Sequence, residues 1–343
     1  MEVDMLRPRF KRSNKLLTNI AEIERLYGQI EAIRVPEKLE LNLKRDNLIK
    51  STYASNRIEG NPLTLPEVTN LLLDERVPVN RNEKEVVNYF QLLRELDRFT
   101  DREITLDLVK EFHGQVLAGV DETAGEIRNR KVVVGKYIGG SAPATLRVKH
   151  DPPFHRREKI AAVLSELLAW TQATHNLPTV IKTGIFHHEF VFIHPFEDGN
   201  GRVCRVLTSL LFIKDGYRIN KYFVLDDYYD IDKILYSDKL HTADSGNKTE
   251  WLEYFSDGVK YSLMGALDRV KNAARTLAVA DRPTKKEGGV LELMKAQPEM
   301  TSTELAQRLG VSRQQAHNLL SSLVKKGLIE RKGTTKSSYY ILK

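Results

Sequence analysis

The sequence predicts a mainly α-helical chain in two parts: a large helical body broken by one short β-hairpin, and a small basic C-terminal unit of three helices and two strands. Three observations lead there. Apolar residues recur at three- and four-residue intervals, as at Ile160, Val163, Leu164, Leu167 and Leu168 and again at Val203, Val206, Leu207, Leu210 and Leu211. One β-branched, glycine-broken segment interrupts that rhythm. The formal charge of +7 is concentrated at one end: from Thr284 onward eleven Lys or Arg face five Glu, a net of +6, which leaves about +1 for the rest.

At 343 residues the chain exceeds one compact domain, so two or three are expected. Charges of both signs are mixed along it and no low-complexity tract occurs, the composition of a globular protein. No run of about 18 apolar residues is present, and Met1-Glu2-Val3-Asp4 lacks the basic-then-apolar layout of a leader peptide. A cytoplasmic address and no membrane partner are expected. Cys204 is the only cysteine, so intramolecular disulfides are excluded, and no Cys or His cluster has zinc-site spacing.

The elements follow in order. Residues 1–100 form an N-terminal helical region and 101–270 a second helical block. Within the latter, Lys131-Val132-Val133-Val134 and Tyr137-Ile138-Gly139-Gly140 read as a β-hairpin, followed by extended loop through Ala142-Pro143 and His150-Asp151-Pro152-Pro153. Gly216 stops the helix that carries Val203 to Leu211. Between Asn272 and Gly289 the periodicity fades into Ala, Arg, Asp, Pro and Lys, so 271–285 is read as a linker. In 286–343 three helical stretches follow, the second ended by Gly310 and the third capped by Ser312. Leu328–Arg331 and Ser338–Ile341 then make two strands.

One loop carries chemistry: His194-Pro195-Phe196-Glu197-Asp198-Gly199-Asn200-Gly201-Arg202. The residue before Pro195 is biased out of the α region, so the helix with Phe186 and Phe190 stops near His194 and the next begins around Gly201. Gly199 and Gly201 leave successive amides open at a helix start, an anion-binding nest. Arg202 and Arg205, three apart, can add charge-assisted contacts to phosphate oxygens. Asp198 is a hard oxygen ligand beside the nest, the place for Mg²⁺, and His194 can take a proton near neutral pH.

The run from His194 to Arg205 resembles the Fic family, whose motif is His-x-Phe-x-Asp/Glu-Gly-Asn-Gly-Arg-x-x-Arg; every specified position matches. The resemblance implies a Fic helical core with the hairpin as its flap and a protein adenylyltransferase that moves AMP from ATP to a Ser, Thr or Tyr hydroxyl. It implies His194 as base, Phe196 as loop anchor and Asp198 as magnesium ligand. The nucleotide would lie on Gly199, Asn200, Gly201, Arg202, Val203, Cys204 and Arg205, with Tyr236, of an element that has Ser237 where the family has a second tyrosine, near adenine. Gly201, where the phosphorylating Doc branch carries Lys, favours adenylylation. Ser55-Asn56-Arg57-Ile58-Glu59-Gly60 is similar to the family's inhibitory motif, in which Glu59 would pair with Arg205 and displace the γ-phosphate. Ser55 and Glu59, four apart, share one helical face.

His188-Glu189 begins like a zinc-protease motif, but His194 follows His188 by six residues where four are needed. His187 is read as a structural histidine and the Cys204 side chain as helix packing. The C-terminal unit resembles a winged helix-turn-helix, with Arg313, Gln314, Gln315, His317 and Asn318 on its third helix and Arg331, Lys332 and Lys336 in the wing available to DNA. Such domains also mediate protein contacts, so a homodimer stays open, as does the chain itself as the protein substrate. A second function class stands beside the enzyme: a DNA-binding regulator with a nucleotide-sensing Fic module.

Overall fold

The computed structural model describes residues 8–138, 145–280, 283–333 and 338–342. The chain divides into two compact units, Met1–Val270 and Lys271–Lys343.

The first unit opens with α1 (Asn14–Ala32), α2 (Glu37–Ile58), α3 (Leu65–Leu73), α4 (Arg81–Glu95) and α5 (Leu106–Val116). A two-stranded antiparallel hairpin follows, β1 (Val134–Ile138) with β2 (Thr145–His150), pairing Val134 with His150 and Ile138 with Thr145. Then come α6 (Arg157–Ala173), α7 (Thr179–Ile193), α8 (Asn200–Lys214), α9 (Asp226–Ile231), α10 (Lys233–Thr242) and the long α11 (Thr249–Ala280). A hairpin is present but not the expected pairing: β1 runs straight through the expected turn at Gly135-Lys136, and Gly139, Gly140, Ala142 and Pro143 lie outside the described residues. Its partner strand is the segment read as loop, because Thr145-Leu146-Arg147-Val148-Lys149-His150 alternates with period two, a short strand signal overshadowed by the nearby prolines.

Two apolar clusters organise this unit around α7. One gathers Leu92, Leu108, Phe112, Leu164, Phe190, Phe196 and Leu207; the other gathers Ile23, Ile185, Phe212, Tyr229, Tyr236, Trp251 and Phe255. Buried residues run along α7 from Val180 to Ile193 with Val191 alone half-buried, as expected of a helix enclosed on all sides. α8 is buried from Arg202 through Phe212, and the loop joining it to α7 is thereby held from beneath. Gly216, at φ 92°, ends it where the sequence placed the stop.

The second unit holds α12 (Lys285–Ala296), β3 (Glu299–Met300), α13 (Ser302–Leu309), α14 (Arg313–Lys325), β4 (Ile329–Lys332) and β5 (Tyr339–Leu342), with sheet order β3-β5-β4. Its core is Val290, Met294, Leu305, Ala316, Leu320, Leu323, Ile329 and Tyr340. Ser312 caps α14 by accepting from the Gln315 amide, and Gly310 at φ 62° ends α13, both as expected. Two readings change. Residues 271–280, read as linker, continue α11 as helix, since Asn272-Ala273-Ala274-Arg275 lacks apolar rhythm but keeps helix-favouring alanines. The strand β3 is too short to leave a pattern.

Candidate active site

The loop after α7 is built by backbone strain held in place by side chains. His194 is the C-cap of α7 at φ 51°, in the left-handed region, with its amide still donating to the Phe190 carbonyl at 3.1 Å. A non-glycine residue there requires surrounding structure to hold it. Arg128 supplies that: its Nε donates to the His194 carbonyl at 2.6 Å and its Nη2 to the Ile193 carbonyl at 3.2 Å, while its backbone amide donates to the Pro195 carbonyl. On the other side His113 stacks on Phe196, centroids 3.7 Å apart, with planes 4° from parallel. His113 Nδ1 accepts from the Gly125 amide, so its proton sits on Nε2 and is donated to the Asp198 carbonyl at 3.1 Å.

Asn200 closes the loop on itself. Its side chain accepts from the Phe196 amide and donates to the Phe196 carbonyl, both at 2.9 Å. The carbonyl end of the side chain is thereby engaged within the loop, and what Asn200 can offer a phosphate is its backbone amide and the second hydrogen of Nδ2. Val203 and Cys204 are likewise fully buried by side chain, and the Val203 amide donates to the Gly199 carbonyl at 3.0 Å. Burial raises the Cys204 thiol far above its ordinary range, which fits packing and not nucleophilic chemistry.

Above the start of α8 lies a carboxylate. Glu59 follows the last residue of α2, and its Oε1 pairs with Arg205 Nη2 at 2.7 Å. A Cβ placed on Gly201 would stand 2.1 Å from the same oxygen, so the carboxylate lies directly over the glycine backbone. Only a residue without a side chain permits that approach. Ser55, one turn earlier on α2, accepts from Arg205 Nε at 2.7 Å through its hydroxyl and from Nη2 at 3.0 Å through its carbonyl. Asp226 adds a further ion pair to Arg205 Nε at 3.4 Å. Burial lifts the Asp226 carboxyl to about 6 against the opposing pull of Arg205.

The other half of the site is gripped by α4. Arg202, 2% exposed, lies 3.2 Å from Glu85 and 3.5 Å from Asp198; Arg81 reaches the remaining oxygen of each carboxylate at 3.0 Å. Asp198 also accepts from the Gly199 amide at 2.6 Å, while its side chain stays 40% exposed. Both expected phosphate-binding arginines are therefore buried and paired with carboxylates rather than presented to solvent.

A cavity of about 380 Å³ opens beside the Glu59–Arg205 pair, lined among others by Glu59, His194, Gly201, Arg205, Tyr236 and His241. Burial, with His150 and Arg128 nearby, pushes His194 down to about 3 while the Val191 backbone acts in the opposite direction. The imidazole is thus neutral at physiological pH, and since Nδ1 is buried, Nε2 is the nitrogen that can meet a hydroxyl. Tyr236 stacks on Tyr229 with centroids 4.5 Å apart. Thr208 donates to the Cys204 carbonyl, so His187 Nδ1 donates to Thr208 at 3.0 Å, and its Nε2 accepts from Tyr236 at 2.8 Å. His187 is structural, as expected.

The loop lies in a stretch that is similar to known proteins. Residues 103–212 match the Fic/DOC family and 283–336 the MarR family. The chain carries a Fic domain followed by a MarR-family winged helix. It is 25% identical over 254 residues to protein adenylyltransferase fic-1 of Caenorhabditis briggsae, covering 70% of this chain and 45% of that protein. Against protein adenylyltransferase Fic of Drosophila virilis it is 30% identical over 183 residues, covering 51% and 34%. The chain thus spans less than half the length of these curated relatives. Among solved structures, a Fic family protein from Desulfovibrio desulfuricans G20 superposes with a TM-score of 0.66 at 24% identity over 98% of each chain. Fic-1 from C. elegans gives 0.61 at 22% identity, covering 75% of this chain and 73% of that one.

Within the Fic domain, sequence reasoning missed Arg128 and His113, and outside its matched span it missed Arg81 and Glu85. Arg128 and His113 act on loop carbonyls, which leave no residue pattern. His113 lies on the buried face of α5 beside Phe112 and Val116, where a lone histidine reads as packing. Glu85 and Arg81, four apart, did offer a pattern, the common one of a surface helix pair.

Proposed function

We propose that the chain transfers AMP from ATP to a hydroxyl group of a protein and that Glu59 holds it silent until displaced. The observation that carries this is the Glu59 carboxylate seated over Gly201 and paired with Arg205. A helix start that accepts the chain's own carboxylate accepts a phosphate once that carboxylate leaves. Curated relatives bear the name protein adenylyltransferase, and Gly201 argues against the phosphorylating branch.

The residues assign the roles. Gly199, Gly201 and the amides at the start of α8 form the nest, with Arg205 and Arg202 closing on the phosphate chain. Asp198 fits Mg²⁺, because its carboxylate is part-exposed beside a position already selected for an anion; the ion, when bound, would neutralise phosphate charge. Tyr236 and Leu240 line the cavity where the base would lie. The substrate hydroxyl oxygen attacks the α-phosphorus, the bond to the pyrophosphate oxygen breaks, and the hydroxyl proton passes to neutral His194 Nε2. Most of the acceleration comes from positioning and charge stabilisation.

Labelling tests this reading. The intact chain and Glu59→Gly are incubated with lysate and ATP radioactive at either the α- or the γ-phosphate. Strong α-label on protein, the chain itself included, with no γ-label is the expected result for the variant; γ-label would identify phosphorylation, and neither label would leave nucleotide sensing. A second reading concerns the winged helix alone: the exposed Arg313, Gln314, Gln315, His317 and Asn318 on α14 favour contact with duplex DNA. Of the wing, Arg331 is exposed and Lys332 is bonded to Glu330, whereas Lys336 lies outside the described residues. A salt-dependent shift of labelled duplex, weakened in Arg313→Ala, is expected. Among the described residues no helix is long and apolar enough to cross a membrane.

A further inference from the structure

The root of the hairpin, the outer part of α7 and the turn after α10 bring three histidines onto one carboxylate. Asp244 lies in a single 3-10 turn, Ala243–Ser245. Its Oδ1 faces His188 Nε2 at 2.9 Å; its Oδ2 faces both His150 Nδ1 at 3.1 Å and His241 Nδ1 at 3.0 Å. The His150 and His241 rings stack at 5.2 Å, and His150 lies 6.5 Å from His194. Of these groups only His241 lines the cavity, and none is among the residues assigned to the phosphates.

The second partners of each ring fix its protons. Lys248 donates to His188 Nδ1 at 2.9 Å, so His188 carries its hydrogen on Nε2 and donates to Asp244. Lys248 is itself balanced by Glu189 at 2.5 Å, and the neighbouring Lys149 is held by Ser237 and Asp238. His150 is different. Its Nε2 faces the Phe192 carbonyl at 2.9 Å and its Nδ1 the Asp244 carboxylate; both partners can only accept, so a neutral ring, with one hydrogen, satisfies one of them and turns a lone pair on the other. With the hydrogen on Nε2, a cation between the Nδ1 lone pair and the carboxylate oxygen resolves that conflict.

An imidazole whose far nitrogen donates to a backbone carbonyl is oriented as a metal ligand is. Two imidazole nitrogens and one carboxylate oxygen suit a borderline dication, and here the three donor residues bring their ligand atoms within 4.8 Å of one another. We propose that His150 Nδ1, His241 Nδ1 and Asp244 Oδ2 bind a first-row transition-metal dication, foremost Zn²⁺, with water in the remaining position. The site joins the base of β2 to the turn after α10, so the ion would staple the hairpin root to the cavity wall that His241 lines. Its nitrogen donors set it apart from the all-oxygen chemistry expected of Mg²⁺ at Asp198.

The test uses the tag-free full-length chain, stripped with chelator and titrated with Zn²⁺ by equilibrium dialysis and with Co²⁺ by visible absorption. One equivalent of Zn²⁺ per chain is expected, with the intense d–d bands of a tetrahedral nitrogen–oxygen Co²⁺ site. His241→Gln, at the part-exposed cavity wall, should weaken binding by about 10-fold or more, in line with the usual size of metal-site losses. His150→Gln should do the same and Asp198→Ala should leave binding intact. Absence of stoichiometric binding would overturn the proposal, as would binding indifferent to His241→Gln or abolished by Asp198→Ala.

Discussion

Arg202 and Arg205 lie three residues apart on α8, are equally buried, and are closed off by different parts of the N-terminal region. Arg205 is held by Glu59 and Ser55 from the end of α2, with Asp226 behind. Arg202 is held by Glu85 from α4, and Arg81 of the same helix ties down Asp198 beside it. The first clamp lays a carboxylate over Gly201 itself; the second only occupies Arg202 and Asp198 from the side. On the proposed function, the γ end of a nucleotide would collide with the first clamp, whereas the second could reorganise around a bound phosphate.

Breaking the first clamp should have the largest effect. Glu59→Gly is expected to raise α-label transfer at least about 10-fold, since a carboxylate in the phosphate position opposes the nucleotide by several kcal/mol at close range. Arg205 retains Asp226 and Ser55 in that variant. A buried charge left without any partner would cost roughly 3–5 kcal/mol, so the retained pair keeps the fold intact. In this open background His194→Ala should lower transfer by about 100-fold or more, the usual size of a lost general base. Equal transfer by the double variant would remove His194 from the chemistry.

Breaking the second clamp alone should do less. Glu85→Gln keeps the volume and a hydrogen-bond acceptor while freeing Arg202, so in the Glu59→Gly background it should tighten ATP by a few-fold, of the order of 1 kcal/mol. In the chain with Glu59 present it should change almost nothing. Isothermal titration of both backgrounds reads this directly; activation by Glu85→Gln alone would make the two clamps equivalent.

The contrast between the clamps is also a contrast in what a sequence displays. The His194 loop and Ser55–Glu59 were legible because each is contiguous, and its residue types stand at fixed spacing around a local structural need. Glu85, Arg128 and His113 touch the same site from distant segments, and their partners are carbonyls or buried ions that no spacing encodes. Asn200 was read for its amide and not for the loop geometry that engages it. The cluster at Asp244 draws on residues 150, 188, 241 and 244, so a search by zinc-finger spacing could not find it. That a hairpin lies here was legible from the β-branched run, but Gly135 was read as its turn although it lies inside β1, and β2 was obscured by prolines. The winged helix was the opposite case, since the Gly310 stop and the Ser312 cap mark α13 and α14 locally.

The smallest expected effect is an absence of pH dependence, and it separates the catalytic residue from both clamps. Burial depresses His194 to about 3 in the free site, below its ordinary value near 6.5. A depressed histidine is neutral above that value and protonates only as pH falls through it, so the base stays competent throughout the neutral range. The acid limb of kcat/KM reports the free enzyme. For Glu59→Gly, kcat/KM should therefore show no limb from His194 between about pH 5 and 8, where the substrate and the Asp226 carboxyl, lifted to about 6 beside Arg205, are the groups that titrate. A limb near 6.5 that persists when Asp226→Asn is added would mean that removing Glu59 admits water to the imidazole, and that the first clamp desolvates His194 as well as blocking phosphate.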